Sequence, residues 1–406
     1  MSEKNSTSQR TNNIDKIWLA DIISDKCGTN KGKLMGYECV PIGAGKGFVS
    51  DVTRVLLNWD QDSAGFDLLP TSVIIKNTVV KQRKRRTDEP SFKDNIEPER
   101  LIKIHNRECD AYKYFFKIGD AAVPMPKPYY IENASKDNDG IIIMEDLTDK
   151  AIGGNIGSDM NSEQLLAMAE AIACVQAFGF KHPEYQQLFS EPGDSPLGHL
   201  LAEIEPKMEQ LRSEFGSERI KYTAADLRRI ISQSRKILDM GQNPATRGFT
   251  PTLTLGDMQP NNILWTRTCS NTGPASNSIS ALIDFQSVRI GGCMDDLASL
   301  LTMNTSTETR RQFQDVVLSR YLEVLSAKTT ETKSADYLVT RDEAQVLRNV
   351  FYAQIAVIGL STAKTYIKIL NAAGAPNESI EIHIDRMVSL LDDLEPLVAN
   401  EYIDER

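Results

Sequence analysis

The stretch LGDMQPNNILW (255–265) sets Asp257 in a tight polar turn, places Asn262 five residues on, and then runs into apolar residues. A second apolar run, Ala281-Leu282-Ile283, ends on Asp284-Phe285. If Ile263-Leu264-Trp265 pairs with 281–283 as a hairpin, Asn262 and Asp284 meet at its mouth. Two oxygen-bearing side chains there suit Mg²⁺, a hard cation that takes few protein ligands and fills its octahedron with water and phosphate oxygens. Asp257, just upstream, can accept a hydrogen bond from a substrate hydroxyl and align it for in-line attack on the γ-phosphate of ATP. The spacing serves phosphoryl transfer. On its own, a D-x4-N pair is also common by chance in polar loops.

Two further groups lie upstream. Gly43-Ala44-Gly45-Lys46-Gly47 carries three glycines at alternate positions, which let backbone N–H groups approach phosphate oxygens with no Cβ in the way. A P-loop requires Ser or Thr after its Lys and then a helix, whereas Lys46 is followed by Gly47 and a strand pattern. That disfavours a P-loop and fits a glycine-rich hairpin lying over nucleotide phosphates; an ordinary glycine turn has the same composition. The second group is Lys76 with Glu108. Lys76 closes the apolar run Ser72–Ile75, and Glu108 interrupts the stripe Leu101, Ile104, Ala111, Phe115 at spacings of 3, 4, 3 and 4, which turns it inward with its neighbours. A buried carboxylate without a cation costs several kcal/mol, so a cation must meet it, and Lys76 is the candidate because a kinase-like lobe pairs a strand Lys with a helix Glu in this way. A Glu at the helix edge reaching water is the other outcome.

These residues need elements to hold them. Strand-like signals dominate to about residue 145 and helix-like signals follow, an α+β small part before a mostly helical large part. Phe48–Leu57 and Ser72–Lys76 read as strands, and Asp139-Gly140 as the turn of a hairpin between Tyr129–Ile131 and Ile141–Met144. Asn161 with Gln164 has the form of a capping box, followed by Leu165, Met168, Ile172 and Val175 at helical spacing; Thr340 with Glu343 opens another helix through Leu360. Lys81–Pro98 and Thr266–Ser278 read as surface insertions, the first including the basic run 81–86 as a solvated loop. Tyr321, Phe351, Tyr352 and Tyr366 fall at spacings that fit core better than a cage for a quaternary ammonium group.

With 406 residues the chain exceeds one ordinary core, and 41% hydrophobic with 25% charged residues is a globular composition. The net charge of −10 argues against nucleic acid or an anionic membrane as main partner. The longest apolar run, 355–360, is too short for a membrane span, and MSEKNSTSQRTNN lacks the apolar core of a signal peptide, so the cytosol is the expected compartment. Six scattered cysteines without a CxxC pair and four isolated histidines indicate neither zinc nor a disulfide framework.

Glycine loop, strand Lys, inward Glu, D-x4-N and I-D-F in that order resemble the ecdysteroid kinase-like (CHK kinase-like) group, within the choline kinase and aminoglycoside phosphotransferase superfamily, and most of all its nematode-type branch. IGAGKGFVSDVTRV (42–55), NRECDAYKYF (106–115), IIIMEDL (141–147), LGDMQPNNILW and ALIDFQSVRIGGCMDDLASLL (281–301) carry the resemblance, over roughly residues 35–330. It implies a two-lobed protein-kinase-like α+β fold: an N-terminal extension and helix (1–34), a β-rich nucleotide-binding N-lobe (35–147) and a helical C-lobe (148–406). It implies an ATP- and Mg²⁺-dependent phosphotransferase acting on a small-molecule hydroxyl of a steroid, a choline-like alcohol or a glycosylated metabolite. Asp257 would be catalytic and Asn262 and Asp284 metal ligands. Gly43, Gly45, Lys46, Gly47, Lys76 and Glu108 would serve the phosphates, and the backbone near Glu145 and Leu147 the adenine edge. Asp296 would brace the catalytic turn, or cap a helix. The departure is Leu255, where the family has His before Gly-Asp; Gln176 also stands where the family often has His. A nucleotide-binding pseudokinase is the alternative that Leu255 raises.

Overall fold

The computed structural model describes residues 14–29, 32–42, 50–63, 65–80, 96–118, 123–155, 159–190, 250–269, 272–331 and 377–399, with residue 209 and short pieces of 212–230. Gly43, Gly45, Lys46 and Gly47, the 81–86 basic run, the Thr340–Leu360 helix, Phe351, Tyr352 and Tyr366 lie outside the described residues. Two compact units emerge, one of residues 1–120, 125–151 and 269–273, the other of 121–124, 152–268 and 274–406. The mixed α+β class expected from the sequence is what the structure shows.

The first unit is built on alternation. In β2 (Asp51–Trp59) Thr53, Val55, Leu57 and Trp59 face inward while their neighbours stand on the other side, the period of two that a half-buried strand demands. Helix α1 (Lys16–Cys27) lays Leu19 and Ile23 on that face, joined by Val73 and Ile75 of β3 (Ser72–Thr78), Tyr129 of β4 (Pro128–Glu132) and Ile143 of β5 (Gly140–Glu145). Asp15 caps α1 by accepting from the N–H groups of Ile17 and Trp18, and Gly28 ends it in the left-handed conformation. With β1 (Leu34–Pro41) the strands form one sheet in the order β1-β2-β3-β5-β4, with every described pairing antiparallel. Helix α2 (Pro98–Ile118) packs on β3, β4 and β5, meeting the side chains of β3 that alternate away from the α1 core.

The β4–β5 hairpin differs from expectation at its turn. The connection spans residues 133–139, tied by the Ser135 N–H to the Asn138 carbonyl at 2.8 Å, and Gly140 is already a strand residue opposite Thr78. Gly140 is used for space, since a Cβ there would lie 2.1 Å from the His105 ring.

In the second unit, β6 (Ala151–Gly153) lies beside the hairpin of β8 (Ile263–Arg267) and β9 (Ala275–Leu282), and β7 (Thr252–Thr254) pairs with β10 (Arg289–Gly291). The expected 266–278 insertion is shorter than the sequence implies, because β8 keeps Arg267 and β9 starts at Ala275. Around these stand α3 (Ser162–Lys181), the short α4 (Tyr185–Leu188), α5 (Asp295–Asn304), α6 (Thr307–Glu331) and α7 (Asn377–Ala399). Asn161 and Gln164 close the capping box of α3 as read from the sequence. Among the described residues no helix is long and apolar enough to cross a membrane.

Candidate active site

In the second unit the hairpin register does the positioning. Ile263 pairs with Leu282 and Leu264 with Ala281, so the chain enters β8 from Asn262 where β9 leaves towards Asp284, and the Ile283 N–H donates to the Asn262 carbonyl at 3.0 Å. Asn262 closes a single 3₁₀ turn that starts at Pro260, and its side-chain amide reaches back to the Asp257 carbonyl at 3.3 Å. Gln259 donates to the Asp257 carboxylate at 3.1 Å. The turn is therefore folded around Asp257 by the two amides that follow it.

Asp284 is the only non-glycine with a left-handed backbone among the described residues, at φ 65°. That conformation costs an ordinary side chain on the order of 1 kcal/mol or more, and such strain gathers at functional sites. Asp284 stands near enough to Asp257 to act on it. Burial first, and the Asp284 charge second, push the Asp257 carboxyl up to about 7 against the pull of the Asn262 and Gln259 hydrogen bonds. Asn262 and Asp284, which flank the hairpin mouth, carry the kind of oxygen atoms that a hard divalent cation could take, and such a cation could relieve the repulsion between Asp284 and Asp257.

Helix α5 holds the turn from behind. The Asp296 carboxylate accepts from the N–H groups of Leu255 and Gly256, each at 2.7 Å. Asp296 is the second residue of α5 and Met294 is the N-cap, so bracing and not capping is its structural place. Gly256 has φ +82°, and a Cβ there would come within 2.4 Å of the Ser287 carbonyl oxygen, so only glycine fits. At the other end of α5, buried Asn304 donates from its amide to the Met258 carbonyl at 2.7 Å and to Leu300 at 2.9 Å. Leu255 is itself buried. Gln176 of α3 donates to the Cys293 carbonyl at 3.0 Å and accepts from the Tyr321 hydroxyl of α6 at 2.5 Å, making a buried knot just before α5.

In the first unit Glu108 turns inward as the helical stripe implied, and there it meets Lys76. Lys76 Nζ lies 2.8 Å from one Glu108 oxygen and 2.7 Å from the other, with the Glu108 side chain 2% exposed. Glu145 ends β5, its N–H bonded to the Lys127 carbonyl at 2.8 Å and its carboxylate 3.2 Å from Lys150. The Leu147 carbonyl accepts from Lys150 and Ala151, while its N–H has no hydrogen-bond partner among the described residues. Between them Asp146 accepts from Arg54 (2.5 Å), Ser72 (2.6 Å) and both the N–H and hydroxyl of Thr148 (2.9 and 2.5 Å). Neither Asp146 nor Asn304 stands out by spacing. The signal for Asp146 is an acid directly after a buried apolar strand; for Asn304, a polar residue at the end of an otherwise apolar helix face.

Three solved structures are similar to this chain in fold. One is an aminoglycoside phosphotransferase in complex with GDP and kanamycin, at TM-score 0.43 and 14% identity over 95% of this chain and 100% of that one. The Plasmodium vivax ethanolamine kinase has TM-score 0.43 and 14% identity over 90% and 84%, and the choline kinase LicA of Streptococcus pneumoniae TM-score 0.39 and 14% over 92% and 99%. The chain belongs to the DUF1679 family, described as "Uncharacterized oxidoreductase dhs-27", which matches residues 22–401. The Caenorhabditis elegans protein of that name is 24% identical over 346 residues, 83% of this chain; this chain spans 40% of that relative's length.

Proposed function

We propose that this chain is an ATP- and Mg²⁺-dependent phosphotransferase that moves the γ-phosphate to a hydroxyl of a small molecule, and that it stands in the nematode-type branch of the ecdysteroid kinase-like group. The observation that carries this is the folded turn of Asp257 and Asn262 with strained Asp284 beside it. Asp257 is the hydroxyl-aligning residue. Asn262 and Asp284 are the metal ligands, and the cation would supply charge neutralisation at the phosphates. Lys76, oriented by Glu108, meets phosphate oxygens; Gly43, Gly45, Lys46 and Gly47 would cover them. The adenine edge would bond the backbone of Glu145 and Leu147, the latter with an N–H that has no hydrogen-bond partner among the described residues. Steroids, choline-like alcohols and glycosylated metabolites are the acceptor classes. The oxidoreductase of the relative's description belongs to a protein of whose length this chain spans 40%; the antiparallel first-unit sheet and its Lys–Glu pair are unlike a parallel dinucleotide-binding sheet.

Leu255 favours one second reading, a nucleotide-binding module without turnover. Thermal-shift titration tests the site common to both. Two protein ligands are too few to hold Mg²⁺ without phosphate oxygens, so ATP and Mg²⁺ together should stabilise the chain far more than either alone. Equal shifts from ATP with and without a chelator would remove the metal roles from Asn262 and Asp284. Turnover, read as a gain of one phosphate in a hydroxylated metabolite extract, separates the enzyme from the module.

A further inference from the structure

Helix α2 carries a second buried polar residue on the side that holds Glu108. His105 lies three positions earlier and is 1% exposed. Its Nε2 is 2.9 Å from the Glu132 carbonyl and its Nδ1 3.0 Å from the Thr78 hydroxyl. A carbonyl only accepts, so Nε2 carries the proton and Nδ1 accepts from Thr78. With the Thr78 proton committed to the ring, the Ser50 hydroxyl, 2.7 Å away, must be the donor to Thr78. The protons thus run one way, from Ser50 to Thr78 to His105 to the Glu132 carbonyl; the Cys109 thiol sits beside the last link, 3.2 Å from Nε2.

This chain ties together the residue before β2, the end of β3, helix α2 and the end of β4. It also lies next to the ion pair. Lys76 and Thr78 are two apart on β3, and Glu108 and His105 three apart on α2, so two buried rungs join the same strand to the same helix. One rung fixes a distance; two fix an orientation. Gly140, opposite Thr78, makes the room, because any Cβ would strike the imidazole. Burial, and then the nearby charge of Lys76 after the opposing Glu132 bond, hold the ring towards its neutral form, the one this chain needs.

We propose that His105 is a positioning residue for the Lys76–Glu108 pair, holding α2 on β3 through Thr78 so that the Lys76 ammonium keeps the direction in which it meets a nucleotide's phosphates. The identity of that ligand rests on the ATP reading above. Fluorescence anisotropy with N-methylanthraniloyl-ATP and the same label on adenosine, in the presence of Mg²⁺, tests it on the full chain. Thr78→Val, His105→Leu and Gly140→Ala should each weaken the ATP probe by about tenfold, the scale of one buried hydrogen bond, and leave the adenosine probe within about twofold. His105→Asn, which keeps an acceptor where Nδ1 stood, should recover most of the loss. Thr78→Val keeps the side-chain volume and the ring in place, so it carries the test if His105→Leu does not fold. Unchanged ATP binding in Thr78→Val beside a clear loss in Lys76→Met overturns the role of His105 while the phosphate site stands. Equal losses for both probes also overturn it, as a general structural defect. A wild-type chain that binds the two probes alike, or a Lys76→Met variant that binds ATP as wild type does, removes the phosphate site itself and the inference with it.

Discussion

Asp257 is caught between opposing demands. Its half-buried carboxyl is desolvated and faces Asp284, which favour a proton, while the amides of Asn262 and Gln259 favour the charge. A carboxyl balanced in this way is a suitable acceptor for a hydroxyl proton, and losing it typically costs about 10²–10⁴-fold in rate. We expect Asp257→Asn to abolish ATP hydrolysis, with water as surrogate acceptor, and to leave Mg-ATP binding nearly intact. Leu255 bears on the same measurement. The backbone at 255 and 256 is held by the Asp296 carboxylate, whatever side chain position 255 carries. Leucine can then fill the space behind the turn without letting it relax, and Leu255→His should change hydrolysis little. Wild-type hydrolysis equal to that of Asp257→Asn, with a gain only in Leu255→His, would sink the active-enzyme reading.

Elements turn such residues into a site, and they differ in how far the sequence reveals them. The pairing of the β8–β9 hairpin is legible because its two apolar runs are short and end beside the polar residues in question; its register is not, since β9 stops at Leu282 and the pairing shifts between Leu264 and Trp265. The inward turn of Glu108 was legible from the 3.6-residue period alone. The capping box of α3 was legible too, since Asn161 and Gln164 are local chemistry: each side chain bonds the other's backbone N–H, at 2.9 and 3.3 Å. Removing the cap by Asn161→Ala should lower stability by about 1 kcal/mol, and more than Asn161→Asp, which retains an acceptor; equal melting temperatures for wild type and Asn161→Ala would show that tertiary packing alone holds that end. The rest depends on pairs far apart in sequence. Nothing near Gly140 tells that its missing Cβ makes room for His105, 35 residues earlier, so the glycine looked like a turn. Asp146 reaches Arg54 and Ser72, and Asn304 reaches Met258, and no local pattern encodes those partners.

At the scale of the whole chain, acid should reveal which histidines are buried neutral. The net charge of −10 near pH 7 means that lowering the pH first relieves self-repulsion, which favours the folded state. His383 of α7 acts against this. It is 2% exposed, and burial, with the Arg386 charge one turn on, lowers its pKa from 6.5 to about 4. The unfolded chain takes up a proton near 6.5 that the folded chain refuses until about 4, so this contribution to stability is whole above pH 6.5 and drains away as the pH falls towards 4. At pH 5 the loss amounts to about 2 kcal/mol. Charge relief is common to wild type and His383→Gln and cancels between them, which leaves the histidine alone. Urea unfolding at pH 7.5 and pH 5.0 should therefore show wild type losing about 2 kcal/mol more than His383→Gln over that interval, whatever the sign of the total change. His105 titrates alike in both proteins and drops out of the same difference. Parallel losses in the two proteins would mean that the folded chain accepts a charged imidazole at position 383, and that α7 is open to water there.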